Sequence, residues 1–197
     1  MARSLLVFIG SPGVGSYINA MANSVDKYDV DDIALIKVVG LPSDGPVDAN
    51  LIKKEVLDTV SSLVKGVYKE LDRRSLTYRE SPAPKAKDCE AYKKLNRILE
   101  DSYHTKTVNH QFLKESIETF KRLYGANAII DVSGATKKVA IDVLTACLAV
   151  GMSYVMLFEL KKPPGGIDTL YHNLQDTDFE HVLLPDWGPL AHIPQFD

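Results

Sequence analysis

The chain has 197 residues, 45% of them hydrophobic and 25% charged, enough apolar material for one sizeable core and short for two. One domain spanning residues 1–197 is therefore expected. A net charge of −3 excludes a general duplex DNA or RNA binder, which needs an excess of Lys and Arg facing phosphates, but leaves room for a small anion in one local pocket.

The apolar run at residues 5–9 is too short to span a bilayer or to act as a signal h-region, so a cytoplasmic protein without membrane contact is expected. Cys89 and Cys147 lie far apart with no CxxC-like spacing, which points to neither a disulfide framework nor a thiolate metal site. Cys147 reads as core and Cys89 as a surface thiol.

In chain order, residues 4–9 and 33–39 are apolar runs that end at glycine, the pattern of buried strands. Between them, Ile18, Met21, Ala22 and Val25 fall at helical spacing from residue 17, completing a strand, helix, strand unit that favours a parallel sheet. The strongest helical period runs over residues 48–72, broken only at Gly66. Residues 75–79 form a candidate edge strand before the Pro82/Pro84 break.

Residues 85–109 are polar and Lys-rich, with Tyr92, Leu95, Ile98 and Leu99 at helical spacing. This is the pattern of an inserted helix with a solvated face. A helix over 110–124 is expected to end at Gly125. A strand over 126–132, a helix over 136–150 and a strand over 153–160 follow. Short terminal strands over 169–171 and 179–184 precede a Pro-rich tail at 185–197. The expected fold is therefore α/β and Rossmann-like: a mostly parallel central sheet flanked by helices, with an inserted helix and a short C-terminal β region.

Ligands of open parallel sheets bind beyond the carboxyl ends of the strands, where strand order reverses. Two loops carry the residues for such a site. The first, residues 10–16, resembles a P-loop at Gly10 and Gly15, but Ser16 stands where the phosphate-binding lysine belongs and Tyr17 where the magnesium-binding hydroxyl belongs. Its spacing also misses the dinucleotide fingerprint. Gly10, Ser11, Pro12 and Gly13 could still bring backbone N–H groups and a helix N-terminus to a phosphate; a tight strand-to-helix turn explains them equally well.

The second loop gathers Asp131, Ser133, Gly134, Ala135, Thr136, Lys137 and Lys138 at a strand end before an apolar helix. Hydroxyl, amide and ammonium donors there converge on one point. Taken singly, Ser133 or Thr136 could cap the helix and Asp131 could anchor the loop backbone.

A strand ending in D-x-[ST]-x-x-x-[KR] before an apolar helix resembles the ligand-binding motif of CARF domains, the Rossmann-like sensors of type III CRISPR antiviral defence. Asp131, Ser133 and Lys137 occupy its positions, Gly134, Ala135 and Thr136 fill its interior, and Gly10 and Ser11 supply the small or hydroxyl residue after the first strand. The resemblance implies a homodimer that binds a cyclic oligoadenylate, the cyclic tetra- or hexa-adenylate, across its twofold axis. It further implies slow, metal-independent cleavage of that ring, the activity of a ring nuclease. Lys137 would then stabilise phosphate charge and Ser11 would position the scissile phosphate.

Two other readings stand beside this one. The same residues could hold the ring uncut, as a sensor regulating an effector, or the chain could be an unrelated Rossmann-like domain that binds a nucleotide or sugar phosphate. No cofactor and no metal is expected: His104, His110, His172, His181 and His192 are scattered without ligand spacing. Trp187 reads as a packing anchor, and Tyr17 as a stacking candidate or a core residue.

Overall fold

The computed structural model describes residues 3–11, 13–41, 47–67, 89–161, 170 and 179–185. Six strands form one sheet in the order β3-β2-β1-β4-β5-β6. In chain order the elements are β1 (Arg3–Ile9), α1 (Val14–Lys27), β2 (Val30–Val39), α2 (Ala49–Lys65), α3 (Glu90–Asp101) and β3 (Tyr103–Asn109). They continue with a 3-10 turn (His110–Phe112), α4 (Leu113–Tyr124), β4 (Ile129–Asp131), α5 (Lys137–Val150), β5 (Tyr154–Leu160) and β6 (Phe179–Pro185). Strands β1 to β5 pair in parallel, and β6 runs antiparallel to β5. This is the mostly parallel, helix-flanked α/β sheet of a Rossmann-like fold.

Because side chains alternate across a strand, the consecutive apolar residues of β1 feed two cores at once. Leu5, Val7 and Ile9 pack under α1, α2 and α3, with Ile18, Met21, Val56, Leu63, Tyr92 and Leu95. Leu6 and Phe8 pack on the opposite face under α4 and α5, with Ile117, Phe120, Val139 and Val143. Truncating such a buried side chain to alanine costs about 2–5 kcal/mol. The order places β1 and β4 side by side, with β2 on one flank and β5 on the other. The carboxyl ends of β1 and β4 are thus the topological switch point.

Three expectations are corrected. Helix α2 does not run to residue 72. Asp48 caps its start by accepting from Asn50 N at 2.9 Å and Leu51 N at 3.3 Å, and Gly66 ends it with a left-handed φ of 71°. What read as a flaw in a longer helix is its C-cap.

Residues 85–109 do not form an inserted helix alone. Among the described residues of this segment Glu90–Asp101 is helical, and Tyr103–Asn109 is a strand paired in parallel with β2 from Ile33↔Tyr103 to Val39↔Asn109. Its polar composition had masked it, because among the described strands it has a neighbour on one side only. The β-branched Thr105, Thr107 and Val108 suit a strand. The segment thus completes the second crossover of the sheet.

Strand β4, expected over 126–132, covers only Ile129–Asp131. Helix α4 does stop at Gly125, whose N–H donates to Lys121 O at 2.9 Å. Cys147 is buried and Cys89 half-buried rather than at the surface. The expected strand at 75–79, the tail, Trp187, His172 and His192 lie outside the described residues, as does the strand at 169–171 apart from Leu170.

Candidate functional site

The two loops singled out in the sequence meet at the switch point. The first is shorter than expected, because Val14, Gly15 and Ser16 already belong to α1 and leave 10–13 as the connection. A Cβ built on Gly10 would lie 2.7 Å from Thr136 N and 3.2 Å from the Ala135 carbonyl carbon, so the loops touch backbone to backbone. Pro12 lies outside the described residues.

Tyr17 sits one turn into α1 with its ring fully buried. Its hydroxyl accepts from Gly10 N at 3.1 Å and from Ser11 N at 2.8 Å, and donates to Ser11 O at 2.6 Å. These are the amides that a phosphate would use. Burial raises the phenol above its ordinary range against the opposing pull of the Ser11 and Gly10 amides, so it stays protonated. Ser11 Oγ accepts from Gly13 N at 3.2 Å, which leaves its own proton free to donate. Ser16 Oγ donates to Gly13 O at 3.3 Å, and Gly13, the N-cap of α1, supplies no side-chain cap.

In the second loop, Asp131 closes β4 and is fully buried. Its Oδ1 accepts from Ser133 N at 2.8 Å and from Ser133 Oγ. Ser133 Oγ in turn accepts from Phe158 N at 2.7 Å, tying the loop to β5. Asp131 Oδ2 has no hydrogen-bond partner. Burial pushes the carboxyl up to about 6, although the Ser133 hydroxyl and amide pull it down. Asp131 and Ser133 thus take up the anchoring role that the sequence left open, and face inward.

From Thr136 to Lys138 the residues are exposed. Thr136 caps α5 by accepting from Val139 N at 3.4 Å. Lys137 is exposed and makes no ion pair among the described residues, whereas Lys138 is held by Asp142 at 2.9 Å. Gly134 is buried against the Tyr17 ring: a Cβ there would fall 2.0 Å from Cε1. Ala135 is half-buried between the two loops.

The groups left to meet a ligand are therefore the Ser11 hydroxyl proton, the start of α5 at Thr136 and the Lys137 ammonium. Tyr17 occupies the Gly10 and Ser11 amides, so what the two loops offer an anion is a hydroxyl on one and an ammonium on the other. Among the described residues, no group of three or more His, Cys, Asp or Glu could hold a metal ion. No helix among them is long and apolar enough to cross a membrane.

Sequence reading missed two features. Tyr17 was weighed for base stacking or a core role, and its ring is in the core, but its hydroxyl also holds the first loop; a tyrosine seven residues after the strand-end glycine was the available signal. His110, read only as one of five scattered histidines, bonds Asp142 through Nε2 at 2.8 Å, and His110 and Lys138 together hold Asp142 below the usual carboxylate range. The partners are 32 residues apart in sequence, so spacing gave no sign of them. Compared with known proteins, the chain matches no family model, no curated protein and no solved structure.

Proposed function

We propose that this chain binds a cyclic oligoadenylate, the cyclic tetra- or hexa-adenylate of type III CRISPR antiviral signalling, as one half of a homodimeric site, and slowly cleaves it without a metal. The observation that carries this reading is the contact of Gly10 with Ala135 and Thr136. It sets the loop that carries the Ser11 hydroxyl against the loop that leads into Lys137, which makes no ion pair among the described residues, at the switch point. The D-x-S-x-x-x-K pattern from Asp131 to Lys137 supplies the ligand class.

In this reaction a ribose 2′-hydroxyl of the ring attacks the adjacent phosphorus. The bond from phosphorus to the 5′-oxygen breaks, leaving a 2′,3′-cyclic phosphate and a 5′-hydroxyl. One proton leaves the attacking oxygen and one reaches the departing oxygen, so protons balance through water. Lys137 offsets the charge that grows on the phosphate oxygens, and Ser11 donates to one of them and holds the attack in line.

A ring with an even number of nucleotides suits two identical subunits, each presenting the same loops. The outer face of α5 is consistent with a partner copy: Ile141 is 62% exposed on a helix that begins at the site, and Phe112 at the start of the neighbouring α4 is 58% exposed. An unrelated Rossmann-type pyrophosphate site is disfavoured, because Tyr17 takes the amides it would need.

Incubation with labelled cyclic tetra-adenylate and cyclic hexa-adenylate in EDTA, measuring binding and product, tests the reading. Binding with cleavage that Lys137→Ala and Ser11→Ala abolish supports it. Binding without product leaves a sensor, and binding of neither ring overturns both. Cleavage that survives the two substitutions would move the chemistry to other residues.

A further inference from the structure

We propose that Tyr17 is the positioning residue of this site: its hydroxyl holds the β1 loop and its ring holds the β4 loop, so that one side chain sets where Ser11 stands relative to Lys137. The proposal rests on the reading that Ser11 and Lys137 form the site.

A phenol oxygen offers one proton and two lone pairs. In Tyr17 both lone pairs take amides, Gly10 N at 3.1 Å and Ser11 N at 2.8 Å. The proton goes to Ser11 O at 2.6 Å, with Gly134 O at 3.4 Å on the other loop also in reach. Ser11 therefore has its N–H and its C=O fixed by the same atom, and its hydroxyl, which accepts from Gly13 N at 3.2 Å, keeps its proton to offer a ligand. Among the described residues, the side-chain bonds made within this turn, from Gly13 N to Ser11 Oγ at 3.2 Å and from Ser16 Oγ to Gly13 O at 3.3 Å, engage neither Gly10 nor the Ser11 backbone.

The ring makes the second connection. It passes so close to Gly134 that any side chain there would overlap it, with Cε1 at 2.0 Å and Cδ1 at 2.7 Å from the built Cβ. On the far side of the same junction, Gly10 leaves 2.7 Å between a built Cβ and Thr136 N. Two glycines thus let the loops close on each other and on one aromatic ring. The ring is anchored in turn by the core, in the cluster that holds Leu5, Val7 and Ile18. Shifting Tyr17 would move both loops together.

Tyr17→Phe keeps the ring and its contact with Gly134 and removes only the oxygen. Amide hydrogen exchange at Gly10 and Ser11, read by NMR in the free protein, is expected to accelerate about tenfold or more, with the amides inside α1 and α5 unchanged. With either ring as substrate, single-turnover cleavage is expected to fall roughly 10- to 100-fold while Kd for the ring changes less than about threefold. Where wild-type protein binds without cutting, there is no in-line attack for Tyr17 to set and the positioning claim falls, while the exchange rates still decide the clamp.

Wild-type exchange at Gly10 and Ser11 in Y17F would overturn the clamp. Altered exchange with unchanged cleavage and affinity would reduce Tyr17 to a structural role and overturn the positioning claim. If wild-type protein binds neither ring, the proposed function fails and the positioning claim with it, whereas the exchange rates still decide whether the clamp itself exists.

Discussion

The two loops at the switch point are fixed in opposite ways. The β4 loop fixes itself: Asp131 folds back onto Ser133 N and Oγ two residues on, and Ser133 carries the tie to Phe158 N on the next strand. The β1 loop has one exposed bond of that kind, from Gly13 N to Ser11 Oγ at 3.2 Å, and its Gly10 and Ser11 backbone is held from outside, by Tyr17 of the following helix. Local side-chain-to-backbone bonds of the first type are cheap in chain entropy and tolerant of surrounding change. A loop held by one buried ring depends on the packing around that ring. The β4 loop is accordingly the firmer half of the site, and the β1 loop the half that a distant substitution can displace.

Four substitutions probe this contrast, in falling order of effect. Lys137→Ala removes the unpaired cation and is expected to reduce ring cleavage by about 10²- to 10³-fold. As an exposed change it should leave stability within about 0.5 kcal/mol, checked by urea unfolding. Gly134→Ala forces a methyl into the Tyr17 ring and should destabilise by roughly 1–3 kcal/mol. It should also alter the NMR shifts of Ser11 on the other loop, which a self-contained β4 loop would not do.

Asp131→Asn addresses the pH dependence. A carboxyl raised to about 6 in the fold binds more protons when native than when unfolded. Its contribution to stability is thus fully present below its unfolded value near 4 and is lost as pH rises through about 6. Urea midpoints for wild-type protein should fall across that window by an amount worth roughly 3 kcal/mol. Asp131→Asn should flatten that part of the profile. An unchanged slope in the variant would remove Asp131 as its source.

The smallest effect is expected from Lys138→Ala. It breaks an exposed pair with Asp142, worth under about 1 kcal/mol, and should leave ring binding unchanged. A loss there as large as for Lys137→Ala would show that the wrong lysine has been assigned.

Much of this architecture was legible because apolar runs and periods report burial directly. The runs of β1, β2 and β5 and the helix after Asp131 stand out in sequence, and so does the meeting of the two loops, which follows from strand order in a parallel sheet. Strand β3 was not legible. A strand with a neighbour on one side can carry His104, Thr105, Lys106 and Thr107, and such composition reads as a solvated helix. The end of α2 at Gly66 was hidden because apolar spacing continues beyond it.

In the site, the residue types were readable and their orientations were not. Whether Asp131 and Ser133 face a ligand or their own loop depends on which partner lies closer in space. Here the partners are Ser133 N at 2.8 Å and Phe158 N at 2.7 Å. Tyr17 escaped for the same reason. A tyrosine on a buried helix face resembles any core aromatic until its hydroxyl is seen to end on the Gly10 and Ser11 amides.

The central claim is that the two loops form one site for one ligand. An NMR titration of the chain with cyclic tetra-adenylate and with cyclic hexa-adenylate, following the amides of Ser11, Gly13, Thr136 and Lys137, tests it most directly. The account predicts that one of the rings shifts all four along a single saturating curve, at one affinity. Shifts confined to one loop, shifts with two different affinities, or no shift at either loop with both rings would contradict it.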